Sequence, residues 1–80
     1  MNERLKFLGR LEEKRLEAEQ MKLRMEGLRD SVRDILDPFE PVEHVKADAA
    51  AALTVEFAAV QIRLREALAE MAAIRKALSR

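Results

Sequence analysis

The sequence lacks cysteine, tryptophan and tyrosine, and it contains only two prolines and two glycines among 80 residues. Without cysteine the chain has no disulfide, no thiolate metal ligand and no thiol nucleophile. No stretch reaches the ~18 to 20 apolar residues that a membrane span requires, and residues 1–6 lack the continuous apolar segment of a signal peptide. We therefore expect a cytoplasmic protein that does not contact a membrane.

The composition is 49% hydrophobic, 38% charged and 4% aromatic, which is typical of long amphipathic helices. Apolar residues never alternate strictly over the length of a strand, so nothing indicates a β-sheet. The 15 basic and 15 acidic residues cancel, and net charge therefore does not indicate binding to a polyanion. We expect one all-α domain, residues 1–80, that is short enough to need a partner.

The two prolines, Pro38 and Pro41, stand near the middle of the chain. Proline disfavours helix at the residue before it and cannot donate a backbone hydrogen bond. We predict a first helix over about 3–36 with Asn2 as its N-cap, a turn at 37–40 and a second helix over about 41–79, in which Pro41 is the first helical residue. With the turn at 37–41, the chain forms a long antiparallel helical hairpin.

In both predicted helices apolar residues alternate at spacings of four and three, the heptad pattern of helices packed side by side. We call these residues the hairpin seam: Phe7, Leu11, Ala18, Met21, Met25, Leu28, Leu53, Phe57, Val60, Leu64, Met71 and Ile74. Lys14 fills the one gap in the first helix, and upstream of Leu53 one phase runs through Ala49 and Ala52 and another through Ala50. The register we expect places Phe7 opposite Met71, Met21 opposite Phe57 and Met25 opposite Leu53, and it predicts three flanking ion pairs: Arg10 with Glu70, Glu17 with Arg63, and Arg24 with Glu56.

Apolar residues also occur outside the seam in both helices. The candidate dimer surface comprises Leu8, Leu16, Leu23, Val55, Ile62 and Leu68. A two-helix rod leaves such residues in water, so a further layer of helices is expected to cover them. We predict a homodimer that forms a four-helix bundle.

The sequence offers little for catalysis or metal binding. His44 with Asp48 one turn later supplies two ligands at most from one chain, whereas zinc normally takes three or four. The carboxylates lie among basic residues on solvated helices, and nothing there provides the burial that acid catalysis by a carboxyl group needs. We predict no enzyme activity, no cofactor and no metal.

The two ends of the hairpin differ in charge. Six basic residues share the end that holds both termini and are the candidate nucleic-acid contact: Arg4, Lys6, Arg10, Arg75, Lys76 and Arg80. No basic face runs along the rod, and no aromatic platform accompanies these residues. At the acidic turn end we expect Phe39 to fold back over Val42 or Leu36, with a contact surface as the alternative.

The run Leu36-Asp37-Pro38-Phe39-Glu40-Pro41-Val42-Glu43, the alanine-rich helix after it, and the segment Leu68–Leu78 resemble short uncharacterised reading frames in Mu-like prophages of bacteria. The resemblance spans nearly the whole chain and implies a phage-encoded cytoplasmic accessory protein; it brings no functional residues. We expect a non-catalytic protein–protein interaction or assembly module, with an unidentified protein partner as one alternative to the homodimer. A small nucleic-acid-associated accessory protein that uses the basic end is the other.

Overall fold

In a computed structural model, residues 2–79 are described, and they form two long antiparallel helices. The first, α1, spans Glu3–Ile35, and the second, α2, spans Ala47–Leu78. The rod measures 62 × 17 × 14 Å, and residues 2–79 contain no strand. The prediction of an all-α helical hairpin is confirmed, and no helix in the described range is long and apolar enough to cross a membrane.

Both ends of α1 follow from local chemistry. Asn2 is the N-cap, as predicted, because its side-chain oxygen accepts a hydrogen bond from the backbone N–H of Arg4 at 2.9 Å. The helix ends at Ile35, and the backbone N–H of Leu36 still donates to the carbonyl of Val32 at 2.9 Å. The predicted end near residue 36 is therefore within one residue of the observed end.

The predicted start of the second helix at Pro41 is wrong. Pro41 has ψ of 135° and lies before a single 3₁₀ turn, Val42–His44. Val45 is again extended, with ψ of 128°, and α2 begins only at Ala47. The φ angle of proline is compatible with the first turn of a helix. The ψ angle of Pro41 is extended, however, so no helix starts there. The connection between the two long helices therefore runs over 36–46.

Side-chain and backbone hydrogen bonds hold the first part of this connection. The Asp37 carboxylate accepts from the backbone N–H of Phe39 at 2.9 Å, and the Asp37 carbonyl accepts from the N–H of Glu40 at 3.3 Å. This is the local turn that aspartate favours before proline. The N-cap position of α2 is Lys46, whose side chain cannot accept a hydrogen bond, and α2 therefore starts without a side-chain cap.

Only six residues in the described range are buried, each at most 5% exposed, and all of them are apolar: Ala18, Ala50, Val60, Ala67, Met71 and Ile74. Five come from α2 and one from α1. Burial of Ala50, 4% exposed, shows that the seam continues upstream of Leu53 through this residue.

Candidate interaction surfaces

The hairpin seam is the contact between α1 and α2. All twelve residues predicted for it are buried or half-buried. Four are at most 5% exposed, namely Ala18, Val60, Met71 and Ile74, and the other eight are half-buried. Two helices alone cannot enclose their seam, and water reaches it along both flanks.

The structure contains the ion pair predicted between Arg24 and Glu56, which joins the two helices. Both side chains remain exposed, at 60% and 40%. An exposed pair contributes little to stability because water screens it. Its value lies in favouring one register of the hairpin over a slip by one heptad.

Lys14 forms the second charged link between the helices. Its Nζ lies 3.2 Å from Glu70 Oε2 and 3.3 Å from Glu17 Oε2. Hydrogen bonds to Glu70, which has the larger effect, and to Glu17 raise the pKa of Lys14 above its ordinary value. Lys14 thus takes the carboxylates that were predicted to pair with Arg10 and Arg63, and the structure contains neither of those two pairs in the described range. The seam position of Lys14 explains this, since it lies between both glutamates.

Apolar seam residues of the two helices line shared surface depressions. Met21 lines one of them with Val60, and Met25 lines another with Phe57. The expected opposites, Phe57 for Met21 and Leu53 for Met25, stay a prediction.

All six residues of the candidate dimer surface are exposed, and they lie on different faces of the rod. In each heptad, the residue midway between two seam residues that are four positions apart lies on the side of the helix opposite the seam. Leu16 and Leu23 occupy it in α1, and Val55 and Ile62 occupy it in α2. Leu8 and Leu68 lie instead on one flank of the seam. The six side chains therefore do not form one continuous patch.

The outward face of α1 is acidic. Leu23, which is 67% exposed, and Leu16 are surrounded on this face by five carboxylates: Glu12, Glu13, Glu19, Glu26 and Asp30. Arg15 pairs with Glu12 at 2.7 Å and with Glu19 at 3.3 Å, and its hydrogen bonds lower the pKa of Glu12. The face nevertheless carries an excess of negative charge.

The outward face of α2 is nearly neutral. Its residues directly opposite the seam recur every seven positions and are all exposed; we call them the outer stripe of α2: Asp48, Val55, Ile62, Ala69 and Lys76. Val55 and Ile62 are 71% and 58% exposed. Sequence reasoning placed Val55 and Ile62 on the candidate dimer surface and missed that Asp48 and Lys76 continue the same line. The sevenfold spacing is the signal that could have found them.

The basic end lies where the termini meet. Arg4 Nη1 donates a hydrogen bond to the Leu78 carbonyl at 3.2 Å, which joins the start of α1 to the end of α2. The five described residues of the candidate nucleic-acid contact are exposed: Arg4, Lys6, Arg10, Arg75 and Lys76. Arg80 lies outside the described residues. Lys6 also pairs with Glu3 at 3.8 Å, so part of this charge is balanced within α1.

The turn end exposes apolar side chains among acidic ones. The expectation that Phe39 folds back over Val42 or Leu36 is wrong, because Phe39 is 92% exposed and Val42 is also exposed. The N–H of Phe39 is held by the Asp37 side chain, and this turn carries the ring outward. His44 is exposed nearby, and no three His, Cys, Asp or Glu side chains of residues 2–79 come together as metal ligands do.

Comparison of the chain with protein-family models, curated proteins and solved structures finds no match.

Proposed function

We propose that this protein is a non-catalytic protein–protein interaction or assembly module, and that it works as a homodimer whose hairpins form a four-helix bundle. The observation that carries the proposal is the exposure of large apolar side chains on the outward face of the second helix, above all Val55 and Ile62. A rod with six buried residues gains little from its own seam. Covering a second apolar face supplies the missing burial.

A non-catalytic role accords with the placement of the ionisable groups. No polar or charged side chain in the described range is buried, whereas general acid–base catalysis at neutral pH relies on carboxyl or imidazole groups whose pKa values burial has shifted. The resemblance to reading frames of Mu-like prophages makes a phage-encoded accessory protein of the bacterial cytoplasm the setting that we propose.

The mass of the protein in solution tests the proposal. Light scattering over a concentration series should give a mass rising toward twice that of the 9.2 kDa chain. A variant with Val55→Ser and Ile62→Ser keeps the seam intact and should shift the rise to higher concentration. A wild-type protein that stays monomeric at every concentration would contradict the homodimer.

The second candidate is a small nucleic-acid-associated accessory protein. It is favoured by the exposure of Arg75 and Lys76 beside Arg4, at the end where the helix termini meet. Retention on DNA should then fall steeply with salt, because each phosphate contact releases a counterion. Replacing Arg75 and Arg80 with Gln should reduce retention without changing the mass in solution. Salt-independent passage of the wild-type protein through the DNA column would remove this candidate.

A further inference from the structure

The outer stripe of α2 is complementary to itself in the antiparallel sense. It begins with Asp48, ends with Lys76 and has Ile62 at its midpoint, with Val55 and Ala69 at equal distances on either side. When a second copy is turned by a twofold axis at Ile62, each acidic end meets a basic end. Val55 then faces Ala69 of the second copy, and each Ile62 faces the other.

We propose that the two copies of the homodimer meet edge to edge through the outer stripes of α2, antiparallel, with Ile62 on the twofold axis. This inference rests on the proposed homodimer and adds its surface and orientation. The four helices then lie in one layer in the order α1, α2, α2, α1, so this contact specifies a flat arrangement of the four helices in place of a compact bundle, and it leaves Leu16 and Leu23 exposed. Residues spaced seven apart form a stripe that winds slowly around the helix in the left-handed sense. A second helix can stay in contact with such a stripe by supercoiling in the same sense.

The residues beside the stripe permit a close approach. They are mostly alanine, all exposed: Ala51, Ala52, Ala58, Ala59, Ala72 and Ala73. Small side chains let two helix axes approach to the short end of the usual 8 to 10 Å range. Within Ala47–Leu78, Arg65 and Glu66 are the only charged residues among these flanking positions, and they are opposite in sign.

The alternatives are disfavoured by charge. Contact between two α1 outward faces would bring Glu12, Glu19 and Glu26 of one copy against the same carboxylates of the other. Contact of the outward face of α1 with the outward face of α2 is heterologous, because the two faces lie on opposite sides of the rod, and it would build open chains of hairpins instead of a closed dimer. A parallel arrangement of the α2 stripes would place Asp48 against Asp48 and Lys76 against Lys76.

The distribution of charge along the whole rod favours the same antiparallel orientation. One end carries the exposed basic residues Arg4, Arg75 and Lys76, and the other carries Asp34, Asp37 and Glu43. Side by side and antiparallel, the basic end of each hairpin lies beside the acidic end of its neighbour. In the chain itself neither Asp48 nor Lys76 forms an ion pair with another residue of 2–79, so both charges are available to the second copy.

Charge reversal tests the orientation. Asp48→Lys replaces two attractive contacts in the dimer with two repulsive ones and should raise the dissociation constant about tenfold. Lys76→Asp should do the same. The double variant Asp48→Lys with Lys76→Asp restores both pairs and should return to within about threefold of the wild-type constant. The double variant is also the least favourable for the α2 dipole, so recovery cannot come from a more stable helix.

Single cysteines test the surface, since the chain has none of its own. Two residues facing each other across helix axes 8 to 10 Å apart have Cα atoms about 3.4 to 5.4 Å apart, which reaches the lower part of the disulfide range. Ile62→Cys should form a covalent dimer under mild oxidation. The matched controls Val55→Cys and Leu23→Cys should not, because two copies of Val55 lie about 21 Å apart along the axis and Leu23 lies on α1.

The outcomes separate this inference from the proposed function. A wild-type protein that is monomeric in light scattering overturns both. A dimer in which Ile62→Cys fails to cross-link and Asp48→Lys binds as wild type overturns the edge-to-edge contact and leaves the homodimer standing. Cross-linking of Val55→Cys as fast as Ile62→Cys indicates parallel stripes and overturns the antiparallel orientation.

Discussion

Replacing Gly27 with alanine should stabilise the protein, and the structure fixes the expected size of the effect. Gly27 lies inside α1, and a Cβ built on it meets no atom within 4 Å. Its φ is negative, so the backbone does not require glycine there. Glycine in a helix interior costs about 1 kcal/mol relative to alanine, chiefly through the freedom of the unfolded chain.

For a domain of this size, a gain of about 1 kcal/mol corresponds to a melting temperature roughly 4 to 8 °C higher. Urea and thermal unfolding followed by circular dichroism measure both quantities. Gly27→Ser should fall about halfway between glycine and alanine. Gly9, also open to solvent at its Cβ position, provides an independent site at which Gly9→Ala should add a similar gain.

Two outcomes of these substitutions would contradict the assignments made for α1. If Gly9→Ala stabilises the protein while Gly27→Ala destabilises it or weakens dimerisation, another chain occupies the space beside Gly27. The outward face of α1 would then be an interface, contrary to the assignment to α2. If neither variant changes stability, the helical state of α1 in solution is itself in question.

Three further predictions concern the seam. Met71→Ala, at a site 5% exposed, should cost about 2 kcal/mol in urea unfolding, near the low end of the usual range because water can fill the open flank; Leu23→Ala, the matched change on the outward face, should cost less than about 0.5 kcal/mol. Arg24→Glu should lower the melting temperature slightly, and adding Glu56→Arg should restore it, whereas equal effects of single and double variants would contradict the ion pair. Because hydrogen bonds to Glu70 and Glu17 raise the pKa of Lys14, they stabilise the folded protein fully at pH values below the ordinary pKa of 10.5, and this stabilisation is lost as the pH rises above that value. The melting temperature of Lys14→Met, measured over the same pH range, should lack that decline.

Much of the fold could be predicted because heptad spacing and capping are local in the sequence. Asn2 and the four-and-three spacing predict α1 and the seam, and the alternating charges predict the pair of Arg24 with Glu56. The start of α2 could not be predicted in the same way. Pro41 suits a first helical turn and an extended connection equally well in φ, and the choice of ψ depends on how the chain crosses between the two helices.

The candidate dimer surface could be predicted only in part, for a different reason. Exposed apolar residues such as Leu16 and Ile62 can be recognised from the sequence, but their grouping depends on which side of each helix meets the other. Once the seam is known, the heptad position of every other residue follows, and the two outward faces separate. The pairing of Lys14 with Glu70 depends on side-chain reach in three dimensions, which spacing alone does not determine.

The single connection at 36–46 also has a consequence for how the chain folds. Contacts between the end of α1 and the start of α2 close a short loop, whereas the hydrogen bond of Arg4 with Leu78 closes nearly the whole chain, and loop closure becomes more costly with length. We expect interhelical pairing to begin beside the connection and to advance toward the termini. Low contact order at the starting point makes such folding fast, and the terminal pairing is the last to form and the first to open.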